Sequence, residues 1–226
     1  MKQKLLMILK STGVLFLMIL WPTVIFTIFN VDLNNITSKD YVIYYTISSF
    51  TLSILLIVIY RKDFFRDFKN YFKDFRKNFE VSFKYWIAGL VIMYVSNLFI
   101  TFVLNKQLAG NEEAVRNYLV TLPLLMTFDA AICAPINEEL TFRKSFKEIF
   151  PSKWVYVVMS GLIFGSLHVA SYIETFSDII YLIPYSALGI AFALLYYKTD
   201  NIFSSITMHS IHNLLATLLV LLGASL

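Results

Sequence analysis

The chain has 226 residues, of which 58% are hydrophobic and only 15% charged, with a formal net charge of +4. Soluble domains are about 45–50% apolar, so this composition excludes an ordinary soluble enzyme and points to a polytopic membrane protein. The apolar segments run without alternation, which excludes a transmembrane β-barrel. The basic residues gather in particular loops, which speaks for topology and lipid contact and against nucleic-acid binding.

At about 20 residues per span, the expected fold is an all-α membrane helical bundle forming one domain, residues 1–226. It has about seven transmembrane helices (six to eight) and a cytoplasmic interfacial amphipathic helix. Lys2, Lys4 and Lys10 precede a first apolar run, Gly13 to Phe29. No small-residue cleavage site follows it, so it reads as a retained span with a cytoplasmic N-terminus and a kink at Pro22. Tyr41 to Tyr60 is the second span. Residues 61–84 carry eight Lys or Arg and four Asp or Glu. Phe64, Phe65, Phe68, Phe72, Phe75 and Phe79 recur there at three- and four-residue steps, the pattern of an amphipathic helix gripping anionic lipid.

Tyr85 to Leu104 is the third span, and residues 105–117 read as a polar loop. In that loop Arg116 stands one residue too close to Glu113 for an i,i+4 pair. The fourth span opens at Tyr118, passes Ile136 and runs to about Phe150, where Pro151 stops it. Trp154 to Ala170 is the fifth span, and its Gly161 and Gly165 allow close helix contact. Ile179 to Tyr197 is the sixth span, with Pro184 and Gly189 as kink and packing points, and Ile202 to Leu222 is the seventh. Lys and Arg concentrate on the loops that share a side with the N-terminus, as the positive-inside rule requires. The only cysteine, Cys133, reads as a small buried apolar residue.

Ionisable groups inside a membrane cost several kcal/mol and need a reason. Here Glu138, Glu139 and Arg143 follow one apolar run, and all three histidines lie in two later ones, His168 in the fifth span and His209 and His212 in the seventh. Antiparallel packing about Pro151 puts Glu138 and His168 roughly 20 and 26 Å above the turn. His209 and Asn213 rise roughly 12 and 18 Å above the turn near Asn201. Glu139 and Arg143 are i,i+4 and can pair along the helix, leaving Glu138, about 100° round the helix, to face a cavity. A carboxylate shielded from water can act as a general base in hydrolysis, with histidine and asparagine as oxyanion donors. The alternative is a zinc site made of Glu138, His168 and His209, although His-Glu-x-x-His is missing. No serine-nucleophile motif appears.

The ordered motifs Glu138-Glu139-Leu140-Thr141-Phe142-Arg143, Phe164 to His168 and His209 to Asn213 resemble the CAAX-protease and bacteriocin-processing family of intramembrane endopeptidases. The resemblance covers about residues 118–222 as a catalytic core, with 1–117 as N-terminal spans. It implies that Glu138 activates water with His168 opposite. It also implies that His209 and Asn213 steady the oxyanion, and that Glu139 and Arg143 form the supporting pair. A divalent metal such as zinc, or none, is compatible with it. Its implied partners are the bilayer and a peptide or membrane-protein substrate, in bacterial peptide or pheromone processing or bacteriocin self-immunity. Two other classes compete. One is a non-enzymatic immunity or scaffold protein, and the other is a proton-coupled carrier, which the lack of an internal repeat disfavours.

Overall fold

The structure, a computed structural model, describes residues 2–106 and 109–223. Every regular element among them is helical. In chain order α1 is Lys2–Ile28, α2 Ser38–Ile59, α3 Arg61–Lys73, α4 Phe75–Phe102 and α5 Gly110–Thr121. A continuous rod, α6, covers residues 123–149. Then come α7 Lys153–Val169, two 3₁₀ segments Ala170–Tyr172 and Phe176–Tyr181, α8 Leu182–Thr199 and α9 Ile202–Leu221.

Six helices are long and apolar enough to cross a membrane, namely α1, α2, α4, α7, α8 and α9. Their outward faces expose Phe16, Leu20, Val91, Val95, Leu98 and Val155. Such a surface suits a hydrocarbon solvent and not water. α6 is a further rod of roughly 40 Å, in which charged groups interrupt the apolar run. The chain is therefore a multi-pass membrane protein of the expected class.

Three boundaries differ from expectation. The amphipathic stretch is not one helix ahead of the third span. The backbone turns at Asp74 (φ −119°, ψ 45°), and residues 75–84 form the first turns of α4. Asn78 fixes that elbow by donating to the carbonyls of Asn70 (3.3 Å) and Tyr71 (2.9 Å). The expected polar loop is largely helical: in α5, Arg116 pairs with Glu112 at i,i+4 and 2.8 Å, not with Glu113. Gln107 and Leu108 of that loop lie outside the described residues. The fourth span starts at Pro123, not Tyr118, because the chain breaks at Leu122 and proline suits a first helical turn. The sixth span lies within the apolar stretch Phe176–Thr199 as expected, and Asp178 holds its 3₁₀ start by accepting from Thr175 N at 2.7 Å and Lys106 Nζ at 2.6 Å.

Small residues set the central contacts. A Cβ on Gly189 would lie 3.0 Å from the Cα of Gly161, so only glycine lets α7 and α8 approach this closely. One end of the bundle is laced by charge: Lys144 meets Asp63 at 2.9 Å, Lys10 meets Glu148 at 2.9 Å and Lys147 meets Asp200 at 2.7 Å. Burial pushes the Asp63 carboxyl up, but Lys144, Arg66 and Lys10 outweigh it and hold the group below its ordinary range. Asp67, buried on α3, accepts Ile202 N at 3.1 Å, while Asn201 donates to the Asp67 carbonyl at 2.9 Å. Asn201 itself accepts Phe203 N at 2.9 Å. The first turn of α9 is thus capped twice, once from its own chain and once from α3.

Candidate active site

The site is built on α6, which is not a uniform α-helix. Asp129–Cys133 and Glu139–Ser145 wind as π turns, a local widening often found at functional sites. Pro135 accounts for the first. It has no N–H, and its ring would clash with the carbonyl four residues back. In π winding the N–H of Ala134 reaches the Asp129 carbonyl. The missing Pro135 donor would then have served Ala130, and Asn213 of α9 fills that place, its amide donating to the Ala130 carbonyl at 2.8 Å. In the second π turn, serine hydroxyls take the backbone carbonyls: Ser145 donates to Leu140 at 3.1 Å and Ser160 to Phe142 at 2.7 Å.

The second turn aims two adjacent carboxylates differently. Glu139 is fully buried, and its Oε2 lies 3.1 Å from Arg143 Nε, also fully buried. Arg143 donates from a terminal nitrogen to Ser160 Oγ at 3.0 Å and lies over the Phe164 ring at 5.0 Å. The other oxygen, Oε1, accepts the Nδ1–H of His209 at 3.0 Å. That bond fixes the histidine's orientation. Its Nε2 stands 3.6 Å from Glu138 Oε2, an oxygen with no hydrogen-bond partner among the described residues. That gap exceeds a direct hydrogen bond and suits a bridging water. The Glu138 side chain is 13% exposed, enough for access from a cleft. Phe192 stacks on the His209 ring at 5.3 Å.

Of the six expected site residues, the structure brings Glu138, Glu139, Arg143 and His209 into one connected group. Asn213 joins it from one turn further along α9, as a brace on α6. His168 does not stand opposite Glu138 in hydrogen-bonding contact. Its Nδ1–H donates to the Phe164 carbonyl at 2.9 Å, and its ring stacks on Tyr185 at 5.2 Å. The cause is register, since His168 lies four residues further from its end of the hairpin than Glu138 does, or roughly 6 Å along the axes. The ring of Phe164 spans the offset, 4.4 Å from His168 and 6.1 Å from His209. His212 faces Trp86 of α4 at 6.4 Å. Cys133 is buried, as expected.

The zinc alternative does not fit this arrangement: among the described residues no three His, Cys, Asp or Glu side chains are placed to share an ion, and Glu138, His168 and His209 are no exception. One acidic group escaped the sequence reading. Asp129, inside the run read as apolar, is 3% exposed, with one carboxylate oxygen unpartnered among the described residues. It lies near Ser49 of α2, whose carbonyl and hydroxyl also accept the Asn137 amide at 2.9 and 3.2 Å. The signal available was an aspartate six residues before Pro135 in a span, which no lipid-facing position tolerates.

Residues 120–215 match the family model described as type II CAAX prenyl endopeptidase Rce1-like. This segment, less than half of the chain, is similar to that family. It contains all six expected site residues. The chain is also 28% identical over 114 residues to the UPF0177 protein YaiH of Lactococcus lactis, covering 50% of this chain and 45% of that protein. It is 29% identical over 134 residues to the protein named "Putative membrane peptidase YdiL" of Bacillus subtilis, covering 58% and 48%. The UPF0177 protein YxdF of Lactococcus lactis is 29% identical over 136 residues, covering 58% and 73%. The chain thus spans about half the length of the first two. No solved structure matches it.

Proposed function

We propose that the chain is an intramembrane endopeptidase in which Glu138 activates water. The observation that carries this reading is the imidazole of His209, held by Glu139 on one nitrogen and presenting the other to the unpartnered Glu138 oxygen at 3.6 Å. A water in that gap has an acceptor on one side and an imidazole nitrogen on the other. Glu138 takes its proton as the water oxygen bonds to the scissile carbonyl carbon. The carbonyl oxygen becomes an oxyanion, steadied by the second amide hydrogen of Asn213 and by the Nε2–H of His209 in its doubly protonated form, with the Nδ1–H still held by Glu139. The C–N bond then breaks, and Glu138 returns the proton to the leaving amine. A positioned base of this kind contributes about 10²–10⁴-fold, and an oxyanion donor about 10²–10³-fold.

Glu139, Arg143 and Ser160 take no part in proton transfer here. They hold the imidazole in register, as a buried ion pair anchored at Ser160 can. His168 has a free Nε2 among the described residues and, one turn beyond Phe164, stands where an extended substrate would pass. The substrate class we favour is a peptide or a membrane-inserted segment, processed at the end of the bundle laced by Lys and Arg, which the positive-inside rule assigns to the cytoplasm along with the N-terminus. Bacterial pheromone or leader-peptide processing, or bacteriocin self-immunity, fits that class.

The test is cleavage by the purified protein in lipid nanodiscs, with a panel of membrane peptides in ¹⁸O-water and products read by mass spectrometry. Wild type should yield fragments carrying one ¹⁸O at the new C-terminus, and Glu138→Ala none. An in-cell phenotype that survives Glu138→Ala would instead favour a non-enzymatic binding protein.

A further inference from the structure

The elbow between α3 and α4 has no role in the site chemistry, yet it is the most unusual surface of the molecule. Apart from Asp74, which is exposed at the bend, its acids turn inward or are paired. Asp63 meets Lys144 and Arg66, Asp67 is buried beneath α3, and Glu80 pairs with Arg76 at 3.2 Å. Its bases do not. Arg61, Lys62, Lys69, Lys73, Lys77 and Lys84 are exposed and form no ion pair among the described residues. The field at this surface is therefore more positive than the local sequence count suggests.

Aromatic rings share the same elbow. Phe65, Phe68, Phe72 and Phe75 are exposed, Phe65 at 63%. Phe72 and Phe75 stack across the bend, 5.8 Å apart and coplanar to 1°. An open hollow of about 520 Å³ lies at the bend, lined by Lys73, Asp74, Phe75, Arg76, Lys77 and Glu80. Exposed rings beside unpaired cations are unfavourable in water, but they match a headgroup layer, where rings enter the acyl boundary and cations meet phosphate. Location decides between a lipid and an acidic protein as occupant. α4 runs without a break from this elbow into a membrane-crossing helix, which puts the hollow at the end of a span, at headgroup depth.

We infer that the α3–α4 elbow is a docking surface for anionic phospholipid headgroups, with Lys73, Arg76 and Lys77 on the phosphate and Phe72 and Phe75 on the acyl boundary. Through the Asp67 cap and the rings around Phe203, the docked elbow bears directly on the start of α9, the helix that carries His209. Phe203 lies 4.8 Å from Phe64 and 5.2 Å from Phe68.

The inference does not rest on the protease reading, and its test uses no activity. Thermal unfolding of the purified protein in detergent would be followed against added phosphatidylglycerol or phosphatidylcholine. The second protein is Lys73→Gln/Arg76→Gln/Lys77→Gln, and a control carries Lys39→Gln/Lys153→Gln. Phosphatidylglycerol should raise the wild-type and control midpoints well beyond phosphatidylcholine. The triple variant should need roughly tenfold or more phosphatidylglycerol for the same rise. Equal stabilisation by both lipids, or an unchanged response in the triple variant, would overturn the inference. So would an equal rise with soluble glycerophosphoglycerol or a polyglutamate peptide, because the surface would then read charge without membrane. A triple variant that fails to fold is replaced by the single substitution Lys77→Gln, expected to show a smaller shift in the same direction.

Discussion

The two π turns of α6 are only six residues apart, yet one pairs its buried charges internally and the other does not. In the second turn, Glu139 and Arg143 pair at 3.1 Å with both charges fully buried, Arg143 reaches Ser160 of α7 and Ser145 meets a backbone carbonyl, while Thr141 Oγ1 and two Arg143 nitrogens lack a hydrogen-bond partner among the described residues. In and around the first turn, Asp129 Oδ1, Asn137 Oδ1 and Glu138 Oε2 are buried without a hydrogen-bond partner among the described residues. An unmet buried group costs about 1–3 kcal/mol, and the carboxylates of Asp129 and Glu138, unlike that of Glu139, have no Lys or Arg partner among the described residues. The turn with the internal ion pair reads as a brace, and the side with the unpaired carboxylates as the place where water and substrate go. His209 belongs to both, with one nitrogen on each.

Substitutions can break this division, and the effects are ordered by size. Glu138→Gln should lower cleavage by about 10³-fold or more while the unfolding midpoint stays near wild type, because it removes a proton acceptor and no structural bond. Arg143→Ala should cost about 3–5 kcal/mol of stability, since it leaves Glu139 buried and uncompensated. Thermal unfolding and membrane-fraction yield would read that loss, and cleavage would fall only with folding. Asn213→Ala separates two roles. As a brace on Ala130 it is worth about 1 kcal/mol, whereas as an oxyanion donor its loss costs about 10²–10³-fold in kcat, so a kcat loss at nearly unchanged midpoint supports the second. His212→Phe, at a position that packs on Trp86, should change cleavage by no more than about twofold.

The sequence made the membrane class and the helical content legible, and it marked Glu138, Glu139, Arg143 and His209, which the structure brings together, because charge in an apolar run is visible without coordinates. It could not show that His209, rather than His168, meets Glu138. Counting rise per residue puts Glu138 and His168 roughly 6 Å apart along the axes, and only the packing of Phe164 between α7 and α9 shows which histidine that offset favours. Asp129 was missed because a single aspartate hardly alters the apolarity of a long window. Pro135 hid in the same run, yet it is the residue that explains the first π turn and the Asn213 contact. Glu112, too, was passed over for its neighbour Glu113, although only the former is four residues from Arg116.

The most direct measurement takes Glu138→Gln and Glu139→Gln side by side, each assayed for peptide cleavage in nanodiscs and for thermal unfolding. The account predicts that Glu138→Gln loses cleavage and keeps its midpoint, while Glu139→Gln loses both. Cleavage at the wild-type rate by Glu138→Gln, or a Glu139→Gln protein as stable as wild type, would contradict it.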